Sequence, residues 1–202
     1  MLFLLAVLVA GVNSLSNSGR AVRGLEDWTP LPRFAAPSAT GSLDGDANVN
    51  RDDRSASGKR RTPACEVPGS RRNVIRICDF FDRPLVMVAW FTRGCGTCRS
   101  QLGTVESVRK RFPAVQFVGL DIADSLKNAR KEVIDHGWRF PMAVDRDGAV
   151  SGLYGVGVGP TSFFAYPGGI AMETVFGELD RQELELRLRR LLRSSRRLAL
   201  LP

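Results

Sequence analysis

The motif Cys95-Gly96-Thr97-Cys98 stands between an uninterrupted apolar run at 85–91 (LVMVAWF) and a stretch with helical apolar spacing. A run apolar at every position predicts a strand buried on both faces, as in the middle of a largely parallel sheet. A strand that hands over to a helix within a few residues is the building unit of an α/β domain. At that junction the helix N-terminus offers free backbone N–H groups and partial positive charge, which favour thiolate over thiol. A thiolate attacks a disulfide, and a neighbouring thiol can then close the ring and expel the product. The pair therefore reads as a redox centre.

The rest of the chain extends the pattern. A short strand is predicted at 73–77, the buried strand at 84–91, and a helix at 95–111 with Leu102, Val105 and Val108 as its inward stripe. A second buried strand at 115–122 (VQFVGLDI) is followed by a helix at 125–136 ended by Gly137. Next come a short strand at 140–144 and a brief helix ending near Tyr154. A Gly-rich approach at 155–160 leads to a strand at 161–166. Pro167-Gly168-Gly169 turns that strand back as an antiparallel partner at 170–176. A helix at 180–193, with Leu184, Leu188, Leu191 and Leu192 on one face, closes the chain. Alternating strands and helices with a terminal hairpin predict an α/β fold, a three-layer α/β/α sandwich with a mixed sheet, over residues 65–202.

Residues 16–64 are rich in Ser, Gly, Asp, Arg, Asn and Pro without a sustained apolar period, and are predicted to be a disordered linker. Within it the patch LEDWTP at 25–30 could dock, but is kept with the linker. Residues 1–15 are predicted to be a signal peptide or membrane anchor. Their apolar stretch MLFLLAVLVAGV is shorter than the ~20 residues a spanning helix needs. No basic residue precedes it, Arg20 and Arg23 follow it, and Val12-Asn13-Ser14 matches a small-x-small cleavage site poorly. The expectation is an extracytoplasmic protein of a prokaryotic cell envelope, membrane-anchored or secreted. The net charge is +8, and 25 of the 29 basic residues are Arg. They are scattered over linker and helix faces with no aromatic-interleaved stripe, so nucleic acid is not an expected partner.

A strand, C-x-x-C at a helix start, two βα units, then Gly159-Pro160-Thr161 before a hairpin and a last helix together resemble the thioredoxin fold, over residues 73–192. The extra βα segment at 140–154 is similar to the insertion of TlpA/ResA-type thiol–disulfide oxidoreductases, redoxin or AhpC/TSA-like domains that are usually exported and membrane-tethered. The resemblance implies that Cys95 is the nucleophile and Cys98 the resolving thiol. Arg93 and Arg99 would lower the Cys95 pKa if their side chains lie near it. Pro160 matches the family's cis-proline. Its loop, with Gly159, would face the pair and offer backbone groups to a bound substrate chain, and Trp90 or Phe91 would form a hydrophobic lip. The implied partners are cysteine-containing exported proteins and an upstream thiol reductant or oxidant, with the protein a monomer that needs no cofactor and no metal. Cys65 and Cys78 bracket a loop and strand. They are either a structural disulfide worth ~2–3 kcal/mol in an oxidising compartment or two unconnected thiols. His136, at a helix end before Gly137, reads as a C-terminal cap on the helix dipole.

The chain departs from that family at four places. Gly94 stands where a Trp is usual, and Gly-Thr replaces Gly-Pro between the cysteines. Ala89 stands where cytosolic thioredoxins carry a buried acid, and Gln101 where some relatives are acidic. Without a nearby carboxylate, the Cys98 proton must travel through water or another group. One rival is a peroxiredoxin-like thiol peroxidase, since Thr92-Arg93-Gly94-Cys95 satisfies T-x-x-C. Val88 and Pro160, however, replace the Pro and Arg that family tends to use. The other is a non-catalytic or metal-delivering module of the same fold, whose copper-delivery members carry C-x-x-x-C and a later His in the hairpin region, neither of which is present here. The alternative for the pair itself is a zinc site completed by other cysteines or His136.

Overall fold

The computed structural model describes residues 23–49 and 62–200. Its centre is β3 (Leu85–Trp90), all six residues buried. β3 pairs in parallel with β4 (Gln116–Ile122), Leu85 opposite Gln116 and Trp90 opposite Asp121. On its other side it pairs antiparallel with β6 (Thr161–Tyr166), from Leu85–Ala165 to Ala89–Thr161. β5 (Met142–Asp145) continues the parallel side, and β7 (Ile170–Phe176) returns from β6 through the Pro167-Gly168-Gly169 turn. The order is β5-β4-β3-β6-β7, a mixed five-stranded sheet.

Side-chain alternation along β3 splits the core in two. Val86, Val88 and Trp90 face three helices: α1 (Cys98–Arg109), α2 (Leu126–His136) and α4 (Arg181–Leu198). These contribute Leu102, Val105 and Val108, then Ala129 and Val133, then Leu184, Leu188 and Leu191. Local signals set their ends. Ser125 Oγ accepts from Asn128 N–H at 3.2 Å to start α2, and Gly137, at φ +65°, terminates it. Asp180 and Glu183 form a reciprocal capping box on α4, which runs five residues past its expected end at 193. α1 starts at Cys98 rather than at Cys95, because Gly94, at φ +71°, is still turning the chain out of β3.

Leu85, Met87 and Ala89 face the other way, toward a thinner layer. It holds α3 (Ala149–Leu153), a 3-10 turn at Ile77–Phe80, and the segment 31–36. Here the disordered-linker expectation for 16–64, with a domain starting at 65, is corrected. Residues 23–49 are part of the folded domain, whereas 16–22 and 50–61 lie outside the described residues, as does the stretch at 1–15. Phe34 is wholly buried and meets Tyr154 edge-on at 6.0 Å, and the Tyr154 hydroxyl donates to the Pro32 carbonyl at 2.7 Å. The physical reason is exposure: one short helix cannot cover this face of the sheet, and Leu31, Phe34 and Ala36 close it.

The same segment borders the sheet on both sides. Residues 24–31 run along β7, with Trp28 N–H donating to Ala171 O and Ala171 N–H to Thr29 O, both at 2.8 Å. Leu31 N–H reaches Gly169 O at 2.7 Å. The LEDWTP patch therefore does dock, and Trp28 stacks on Tyr166 at 5.1 Å. Beyond it, β1 (Ala35–Pro37) pairs with β2 (Val74–Arg76). Ala39 N–H then bonds Met142 O of β5 at 2.8 Å. The strand expected at 73–77 thus exists as β2, but it lies outside the main sheet. Among the described residues no helix is long and apolar enough to cross a membrane.

Candidate active site

The Cys95–Cys98 pair lies at the C-terminal end of β3, where the chain enters α1. The two cysteines are disulfide-bonded, with Cα atoms 5.5 Å apart. Their environments differ: Cys95 is half-buried, whereas Cys98 is wholly buried against Trp90 and Leu102. Thr97, the N-cap of α1, makes no side-chain cap bond, so its side chain leaves the first-turn N–H groups uncapped.

Gly159 and Pro160 come up against this pair from the loop before β6, and the peptide bond between them is cis. A Cβ placed on Gly159 would sit 2.7 Å from Phe91 Cδ2 and 3.1 Å from Cys98 Sγ, so the loop backbone touches the dithiol only because residue 159 has no side chain. Gly159→Ala is expected to push the loop off the pair and slow disulfide exchange by about tenfold or more, while Cys95 alkylation in the reduced protein keeps its rate. A stopped exchange assay alongside iodoacetamide labelling reads both.

Trp90, expected on a substrate lip, is instead wholly buried. Its indole N–H points at Met142 Sδ at 3.2 Å, and its ring meets Trp138 edge-on at 5.4 Å. It shares the inward row of β3 with Val86 and Val88. The half-exposed aromatic beside the pair is Phe91. The expectation for Arg99 is also corrected. Its guanidinium forks onto Glu132, with both N···O distances 2.7 Å, and Arg99 in turn holds the Glu132 carboxyl below its usual range. That charge is spent on α2 rather than on Cys95. Arg93 is exposed.

Gln101 is buried on α1, and its Oε1 accepts from Leu179 N–H at 2.5 Å, which ties α1 to the chain entering α4. Thr92 Oγ1 donates to Asp124 Oδ2 at 2.6 Å, and Asp124 Oδ1 accepts from Ser125 N–H and Asn128 Nδ2. The active loop is thereby fastened to the start of α2. Thr92, Asp124, Arg99 and Glu132 border a recess of about 200 Å³ beside the pair. Sequence reasoning missed one more residue, Asp121 on β4, wholly buried with both carboxylate oxygens unpartnered. An acid inside VQFVGLDI, a run read as a buried strand, was the signal.

Cys65 and Cys78 are brought together as a disulfide, Cα atoms 5.9 Å apart, away from the Cys95 loop in the 3-10 turns that precede β3. His136 Nδ1 lies 3.0 Å from the Glu132 carbonyl oxygen in the last turn of α2, and the ring stacks on Trp138. Among the described residues no group of three or more His, Cys, Asp or Glu is placed to hold a metal ion.

Comparison with known proteins supports this picture. The AhpC/TSA family model matches residues 59–174. The thiol-disulfide oxidoreductase ResA of Bacillus anthracis is 26% identical over 113 residues, which is 55% of this chain and 65% of that protein. The chain thus spans just under two-thirds of the length of this relative. Among solved structures, dsbF of Mycobacterium tuberculosis aligns with 27% identity and a TM-score of 0.54, over 58% of this chain and 87% of that one. The peroxidoxin BcpB of Mycobacterium tuberculosis, at 14% identity and a TM-score of 0.58 over 84% of this chain and 97% of its own, shares the fold.

Proposed function

The chain belongs to the AhpC/TSA family, and we propose that within it the protein is an exported thiol–disulfide oxidoreductase exchanging disulfides with cysteine-containing proteins. The observation that carries this reading is the asymmetry of the pair: Cys95 half-exposed, Cys98 buried beneath it, and the Gly159–Pro160 backbone against them. An incoming sulfur can reach Cys95 and not Cys98, so Cys95 is the nucleophile and Cys98 resolves the mixed disulfide. The loop carrying Gly159 offers backbone groups to an extended substrate chain. No cofactor or metal takes part. The partners are exported thiol proteins and an upstream donor or acceptor of electrons, with the protein a monomer held by its N-terminal stretch or released from it.

Equilibrating the full chain in dithiothreitol redox buffers and counting alkylated cysteines tests the proposal. Cys95 and Cys98 should open and close together as one two-electron couple. A potential well below about −220 mV makes the protein a reductant in its compartment, and one near −120 mV an oxidant. A pair that stays closed or unreactive throughout overturns the reading.

Cys65–Cys78 serves as a structural bond in the same reading, since Arg76 already holds that loop through the Val67 and Gly69 carbonyls and Asp79. Replacing both cysteines with Ser should lower stability by about 2–3 kcal/mol in a urea titration and leave exchange at Cys95 intact. A thiol peroxidase remains the competing activity on this fold, and Thr92, the Thr of T-x-x-C, spends its hydroxyl proton on Asp124. Turnover that depends on peroxide, in the presence of a thiol donor, would favour that activity instead.

A further inference from the structure

Asp121 stands in the row of β4 next to Trp90 of β3, and parallel neighbours in register point to the same side of the sheet. That side is the one α1 covers: Trp90 and Cys98, the first residue of α1, share one buried cluster, as does Phe117 four residues before Asp121 on the same strand. The carboxyl group is therefore buried on the helix-covered face of the sheet, one strand over from Trp90 and at the strand ends from which the active loop leaves. Asp124, three residues on, has a partner for each oxygen, whereas Asp121 has no side-chain partner and only the Ile122 N–H beside it. A buried acid with so little hydrogen bonding destabilises a fold unless it keeps its proton.

We infer that Asp121 holds the proton that Cys98 takes up when the disulfide opens and recovers it when the disulfide closes. The inference rests on the exchange activity proposed above. In opening, a donor thiolate forms a bond to Cys95 Sγ, and the Cys95–Cys98 bond breaks. The electron pair leaves on Cys98 Sγ, and the Asp121 proton neutralises it, leaving a carboxylate. A second donor thiolate then attacks the donor's sulfur in the mixed disulfide and frees Cys95. Closure runs the same steps backwards. Asp121 is the general acid of that step, on a strand adjacent to the one that carries Ala89.

The electrostatics agree with a proton held in the disulfide form. Burial, reinforced by the negative charges of Asp124 and Glu132, pushes the Asp121 carboxyl up to about 8. Those two are the charged groups facing it, from the β4–α2 connection and from α2. Arg99 on α1 is engaged by Glu132, and Asp145 on β5 turns to the other side to accept from the Val150 and Ser151 N–H groups.

The test opens the oxidised full chain with dithiothreitol and follows the rate by quenching and alkylation, each rate divided by the thiolate fraction of the reagent. The wild-type value should fall about tenfold between about pH 7 and pH 9 as Asp121 loses its proton, whereas D121N should be flat, and about tenfold slower than wild type near pH 7. D121N should also melt at or above wild type. The folded state keeps this proton longer than the unfolded chain, so the native carboxyl costs stability increasingly as pH rises from 3.8 to about 8. Asp121→Ser gives the same comparison if the Asn variant misfolds. A D121N profile that follows wild type, or a flat wild-type profile, overturns the inference. A wild-type pair that never opens overturns the exchange reading, and this inference with it.

Discussion

Cys98→Ser should end turnover and leave the protein covalently attached to its substrates through Cys95. Without the buried thiol, the first exchange proceeds and the second has no attacker, so the mixed disulfide persists until an external thiol resolves it. Cys95→Ser should instead abolish both turnover and capture, a loss on the order of a thousandfold or more, as expected when a nucleophile is removed. Incubating each variant with a disulfide-bonded model peptide and separating the products on a non-reducing gel distinguishes them. The difference in burial makes the direction of this result specific: Cys95 is half-exposed and Cys98 is sealed under Trp90 and Leu102. Adducts on Cys95→Ser rather than on Cys98→Ser would exchange the two roles.

Phe34→Ala should cost ~3–5 kcal/mol, as expected for a wholly enclosed aromatic removed from a packed core. That is a large fraction of the total stability of a domain this size. Phe34 packs on Tyr154, which packs edge-on against Phe163 at 5.1 Å and bonds the Pro32 carbonyl, so the cavity opens under the centre of the sheet. Nearby Trp28 is 62% exposed, and its replacement by Ala should stay within about 1 kcal/mol. Urea midpoints for the two variants give the contrast. Equal midpoints would return residues 23–49 to the status of a tether.

The parts of this fold that were legible in the sequence are those whose side chains repeat with a period. The run at 85–91, the strand at 115–122 and the hairpin around Pro167-Gly168-Gly169 carry dense apolar or turn signals and lie where those signals put them. The segment 31–39 does not, because Pro, Ala and Ser dominate it and it runs as irregular chain with one three-residue strand. Its role comes from a bare sheet face that only the assembled fold creates. At the site, the cysteine pair and the Gly-Pro approach could be read directly. The partners of Arg99 and Gln101 could not, since both lie far along the chain, at Glu132 and Leu179. Parity puts Trp90 on the row of Val86 and Val88, and Phe91, one residue past the end of β3, is the aromatic left at the exit.

An unpaired outer strand is a template on which a second chain can add itself, and ribbons of stacked copies grow from such borders. Here β7 is overlaid by 24–31, and β5 by the chain around Ser38 and Ala39. The stretch ahead of the dithiol thus hems the sheet on both sides, so a break anywhere within it would uncover hydrogen-bonding groups as well as oil. A fragment trimmed to the family-matched region would carry all four cysteines and still invite self-association.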